Sequence, residues 1–123
     1  PGGFGDNYIW MRLADVYLMY AEAIIQAGGN DDWKQYVNKI RERAGLGTVD
    51  EYISSNGVSE MEYIKHERKV ELALEYHRGK DLRRWGEAEK VLADRGFLSR
   101  HYYLPVPQNE IDLSPTLTQN EPW

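Results

Sequence analysis

The chain has 123 residues, enough for one small domain built around a single core. Its 15 basic and 20 acidic residues leave a formal charge of -5, which argues against a nucleic-acid partner, because phosphate binding rests on clustered Lys and Arg. It has no cysteine, so disulfide frameworks, zinc–thiolate sites and cysteine nucleophiles are excluded.

No apolar run approaches the roughly 18 to 20 residues that span a bilayer. The opening Pro1-Gly2-Gly3-Phe4-Gly5 is not a targeting segment and reads as a loop cut in mid-course. The chain is therefore expected to be one domain over residues 1–123 that forms part of a longer protein.

A first helix is expected from Tyr8 or Trp10 to Ala27. Leu13, Val16, Tyr17, Tyr20, Ala23, Ile24 and Ala27 share one arc at about 100° per residue, with Asp15 and Glu22 opposite. Trp10, Leu18 and Met19 lie off that arc and are expected to form an exposed apolar patch. Gly28-Gly29 supplies the stop.

Asp31 or Asp32 is expected to cap a second helix whose stripe is Trp33, Tyr36, Val37, Ile40 and Ala44, ending at Gly45. The tight Gly-Gly-Asn-Asp connection makes the two helices an antiparallel hairpin. The pair is similar to one tetratricopeptide unit, without a second copy at a 34-residue period. Residues 47–57 read as a polar loop. Ser59 and Glu62 form a capping box that opens a third helix reaching about Tyr76. Shorter helical stretches are expected over Lys80–Trp85 and Glu87–Leu92. From Gly96 onward, Pro105, Pro107, Pro115 and Pro122 deny regular helix and imply an extended tail held down by its apolar side chains. The fold class is thus mainly α: a helix hairpin, further helices and an extended Pro-rich tail.

Glu67, Glu71 and Glu75 recur at four-residue spacing beside Met61, Ile64 and Leu72, the face otherwise assigned to the core. Buried carboxylates need partners, and arginine suits the task because its planar fork can bind a carboxylate twice. The candidate partners are Arg12, Arg68, Arg83 and Arg84, with Arg78 nearby. The bland reading is a structural ion network that fixes helix angles. The sharp reading is a glycosidase pair, which needs an open cleft and one acid with a raised pKa; the abundant arginine works against it by keeping the acids ionised.

Other chemistry is weakly signalled. His66, His77 and His101 lack metal-ligand spacing, and the glycine-rich opening follows no strand and lacks the Lys-Ser/Thr of a phosphate loop. The serines have no nucleophile-elbow context. No cofactor is implied. Asn7, Tyr8 and Trp10, ahead of the first helix, are the aromatic and polar groups least committed to a core, and so the candidates for a glycan contact.

Four segments in order resemble the SusD/RagB family. They are Arg12-Leu13-Ala14-Asp15-Val16-Tyr17-Leu18-Met19-Tyr20-Ala21-Glu22-Ala23, then Val37-Asn38-Lys39-Ile40-Arg41-Glu42-Arg43-Ala44-Gly45-Leu46, then Ile64 through Trp85 with His66-Glu67-Arg68, His77-Arg78 and Asp81-Leu82-Arg83-Arg84-Trp85, and finally Leu104-Pro105-Val106-Pro107-Gln108-Asn109-Glu110-Ile111 with Leu117-Thr118-Gln119-Asn120. The resemblance implies the carboxyl-terminal region of a surface-exposed outer-membrane lipoprotein. It further implies non-catalytic binding of an oligosaccharide or other nutrient for delivery to a TonB-dependent SusC-like transporter. Membrane attachment would run only through a lipid anchor on an amino-terminal cysteine, absent from this chain. Two other readings are an independent helical protein-interaction module, signalled by an apolar groove between the first two helices, and a small glycosidase using two of Glu67, Glu71 and Glu75.

Overall fold

A computed structural model describes residues 10–121 and 123, which form two compact units divided after Arg78. The first unit holds four helices: α1 (Leu13–Ala27), α2 (Lys34–Arg43), α3 (Val49–Asn56) and α4 (Glu60–Glu71). The mainly α fold class holds. Among the described residues there is no strand.

Helix α1 starts at Leu13 rather than at Tyr8 or Trp10, and it buries the face opposite to the one its aromatic arc suggested. Ala14, Asp15, Leu18, Ala21, Glu22 and Ile24 are buried, while Leu13 and Val16 are 62% and 40% exposed. The helix is apolar almost all round, so its periodicity cannot choose a face. The choice is made by α4, whose Arg68 neutralises Asp15 and Glu22 inside the core. Leu18, expected in an exposed patch, is fully buried.

Gly28 adopts φ 63° and closes α1 with Gly29, which returns its N–H to the Ile24 carbonyl at 3.0 Å. Tyr17 meets Tyr36 and Tyr20 meets Tyr36, at ring separations of 5.4 and 5.0 Å, while Lys39 lies over Tyr17. Later residues of α2 thus pair with earlier residues of α1, which makes the two helices antiparallel. The expected carboxylate cap on α2 is absent: Trp33 stands at the cap without a side-chain bond, and Asp31 instead accepts the Tyr20 hydroxyl at 3.1 Å. Trp33, Val37 and Ile40 are buried as the stripe required, but Ala44 is exposed. Gly45 and Leu46 close α2 through bonds to the Glu42 and Arg41 carbonyls.

The segment expected as a polar loop contains α3. Thr48 and Glu51 make the same reciprocal capping box as Ser59 and Glu62, and Gly57 at φ 62° ends the helix. Val49 anchors α3 in the core, and its N–H bonds the Asn38 side chain on α2 at 2.9 Å.

Helix α4 stops at Glu71, one turn short of the expected Tyr76, although no glycine or proline intervenes. In a continuing helix the Glu71 carbonyl would accept the Glu75 N–H. Arg12 Nη2 takes that carbonyl at 2.6 Å, and Glu75 turns its N–H to Leu72 at 3.2 Å. Leu74 and Tyr76 then adopt left-handed backbone at φ 66° and 63°.

The second unit opens with α5 (Arg78–Arg84), whose first residue is the last of the first unit, and holds α6 (Ala88–Val91), two short 3-10 turns and α7 (Gln108–Leu113). The tail is thus partly helical. Pro107 precedes α7 and Pro115 follows it, so neither interrupts the helix. Of the tail's apolar groups, Tyr102, Val106 and Ile111 are half-buried and Trp123 meets the His101 ring, whereas Leu104 and Leu113 are 78% and 81% exposed. Side-chain amides tie it as well. Gln119 bonds both the N–H and the carbonyl of Val106, at 2.7 and 3.0 Å, and Asn120 donates to the Leu104 carbonyl at 2.7 Å. Amides supply the pairing that proline-flanked backbone cannot complete alone.

Candidate functional site

Three arginine-centred clusters lie along α4 in the first unit. The outermost is centred on Arg12. Its Nε donates to both Glu75 oxygens at 3.0 and 2.8 Å, and its Nη1 reaches Glu71 Oε1 at 2.5 Å. Arg43 on α2 adds bonds to the same Glu71 carboxylate at 2.6 and 2.7 Å. The Arg12 guanidinium holds the Glu75 carboxyl below its ordinary range, chiefly by hydrogen bonding, and the Glu75 bond pushes the Arg12 pKa further up.

The second cluster sits deeper. Arg41 donates to the Gly47 carbonyl and to Glu67 at 3.2 Å, and both side chains are 8% exposed. Tyr63 donates its hydroxyl to the same Glu67 carboxylate at 3.0 Å. Burial first, and then the charge of Glu67, pushes the Tyr63 phenol well above its usual range. The Arg41 guanidinium also covers the ring of Tyr52, 5.4 Å from its centroid. Helices α2, α3 and α4 therefore meet at one arginine.

The third cluster is the most enclosed. Arg68 Nη1 bonds Asp15 at 3.1 Å and its Nε stands 3.9 Å from Glu22, with all three side chains 5% exposed or less. His77 approaches the other Asp15 oxygen at 4.0 Å. Asp15 pairs with Arg68 and Arg12 with Glu71, so α1 and α4 run antiparallel. Among the described residues every buried side-chain nitrogen or oxygen has a hydrogen-bond partner. That completeness is what makes such clusters tolerable in a core.

The residues expected in one network are thus divided. Arg12 joins Glu71 and Glu75, while Glu67 and Arg68, adjacent in sequence, serve separate clusters. Arg83 lies in the second unit with its guanidinium 5.8 Å from the Phe97 ring, and Arg84 bonds Asp81 at 2.9 Å. Sequence reasoning missed Arg41 and Arg43, although both follow the stripe of α2 by one or three residues. It also missed Asp15 and Glu22, assigned to solvent because charge was read as exposure. Of the glycan-contact candidates, Trp10 is 83% exposed just before α1, and Asn7 and Tyr8 lie outside the described residues.

A groove of about 260 Å³ runs between α1 and α2, lined by Leu13, Ala14, Tyr17, Lys39, Ile40 and Arg43. Among the described residues no helix is long and apolar enough to cross a membrane, and no His, Asp or Glu side chains gather as a metal site.

A helix hairpin closed by a third helix and cross-tied by buried arginine–carboxylate pairs defines a helical scaffold. The particular scaffold follows from comparison with known proteins: the model of the SusD family matches residues 2–96, and the chain belongs to that family, as part of its carboxyl-terminal region. Three relatives from Formosa agariphila align over nearly all of it. SusD-like protein P25 is 39% identical over 94% of this chain and 24% of its own length. SusD-like protein P2 is 36% identical over 94% of this chain and 26% of its own length. SusD-like protein P38 is 33% identical over 95% and 25% respectively. The chain therefore spans about a quarter of the length of these relatives. No solved structure matches it.

Proposed function

We propose that this chain is the carboxyl-terminal part of a nutrient-binding protein of the outer-membrane surface, lipid-anchored in its full-length form. It would capture an oligosaccharide or other nutrient without cleaving it and pass it to a TonB-dependent SusC-like transporter. Family membership carries this reading. The α4 acids lend support. A glycosidase pair needs one carboxyl with a raised pKa, whereas Arg12 shifts Glu75 the other way and Glu71 is held by two arginines. These acids read as struts.

The α1–α2 groove favours a second reading, an independent helical module that binds protein. At about 260 Å³ the groove is small for a ligand pocket, and Lys39 and Arg43 at its rim limit its apolar reach. Affinity purification of the tagged full-length protein from detergent-solubilised outer membranes tests the leading reading. A TonB-dependent transporter should copurify in near-stoichiometric amount. Recovery of the protein from the soluble fraction, free of any transporter, would overturn it.

A further inference from the structure

One end of the first unit exposes aliphatic side chains at a level its core does not explain. Leu74 is 98% exposed, and Met11, Leu13 and Val16 are 61%, 62% and 40% exposed, beside a core in which Leu18, Tyr63 and Ile64 are fully buried. Arg12 gathers these groups. It is the sequence neighbour of Met11 and Leu13, and it grips Glu71 and Glu75, which flank the turn bearing Leu74. That turn is also strained. A left-handed leucine at φ 66° costs on the order of 1 kcal/mol, and this one buries nothing in its own unit. Aliphatic exposure of this kind on one end marks a contact surface.

We infer that this end, formed by Met11, Leu13, Val16 and Leu74 around the Arg12 cluster, is covered by the amino-terminal portion of the same polypeptide. The inference rests on the reading above that the chain is part of a longer protein. Length supports it: the relatives devote about three quarters of their residues to segments outside the matched region. The chemistry agrees. Arg12 and Arg43 already neutralise Glu71 and Glu75, so the surface offers its occupant apolar contact rather than charge. Trp10 and Tyr76, 83% and 74% exposed, neighbour these aliphatic groups in sequence and extend the apolar surface.

Single thiols test this in the full-length protein, with any upstream cysteine replaced by serine. Leu13→Cys, Leu74→Cys and, as an exposed control on α3, Ser55→Cys are labelled with a maleimide in native buffer and in urea. Leu13→Cys and Leu74→Cys should react about tenfold or more slowly than Ser55→Cys in native buffer and equally fast in urea. Native rates equal to the control would overturn the inference while leaving the nutrient-binding reading intact. Slow labelling that is lost on dilution would assign the surface to a second copy and also overturn it. A gene that codes for nothing upstream of this chain would sink both.

Discussion

Arg12 offers five N–H donors in one plane, and the first unit uses them on two carboxylates and one carbonyl. The last of these bonds satisfies a carbonyl freed at the end of α4, so one side chain both caps a helix and ties it to α1. Glu71, 10% exposed, is the acceptor shared by Arg12 and Arg43. Glu71→Gln should destabilise the fold by about 1 to 3 kcal/mol, because Arg43 loses its carboxylate and Arg12 loses one of two. A urea melt superimposable on the parent would show that the cluster carries no stability. Glu75 adds a pH dependence of definite sign. Its folded carboxyl sits below the ordinary 4.5, so its stabilisation is fully present above that value and is lost as pH falls through the lowered one. The stability gap between the parent and Glu75→Gln should therefore be open near about pH 7 and should narrow as pH falls below the ordinary carboxylate range. A gap independent of pH would contradict the assignment.

Helices, their order and several of their ends were legible because they depend on local chemistry. Gly28, Gly45 and the Ser59–Glu62 box act within a few residues of themselves. Helix α3 opens on the same local box at Thr48 and Glu51, a signal as legible as the one at Ser59 and Glu62, within a segment whose polar composition reads as loop. Other departures came from contacts distant in sequence. The buried face of α1 depends on Arg68, 53 residues beyond Asp15, and the end of α4 is capped by Arg12, 59 residues before Glu71. Neither pairing can be read from periodicity. The corrected face of α1 makes a sharp prediction for the 123-residue chain. Leu18→Ala should cost about 2 to 5 kcal/mol, as a fully buried leucine does, and Leu13→Ala should stay within about 0.5 kcal/mol. Equal effects in thermal melts, or the reverse order, would restore the aromatic arc as the core face.

At the scale of the whole molecule, the candidate ligand contacts were the least legible part. Sugar affinity needs several aromatic and polar groups converging in one pre-formed site. The aromatics of the first unit are largely committed: Trp33 and Tyr63 are buried, Tyr52 packs on Tyr63 and beneath Arg41, and Tyr17 and Tyr36 join the hairpin. Trp10 and Tyr76 are the most exposed rings of the described first unit, 83% and 74%, and neither lines the groove between α1 and α2. The clusters along α4 read as scaffold, and the proposed function puts recognition in segments outside this chain, which spans about a quarter of the length of its relatives. Isothermal titration of the full-length protein and of this chain, side by side against a panel of oligosaccharides and with chromatography of the sugars recovered afterwards, tests that account most directly. The full-length protein should bind at least one oligosaccharide and return it uncleaved, while this chain alone binds weakly or not at all. Shortened sugars, or micromolar binding by this chain alone, would contradict it.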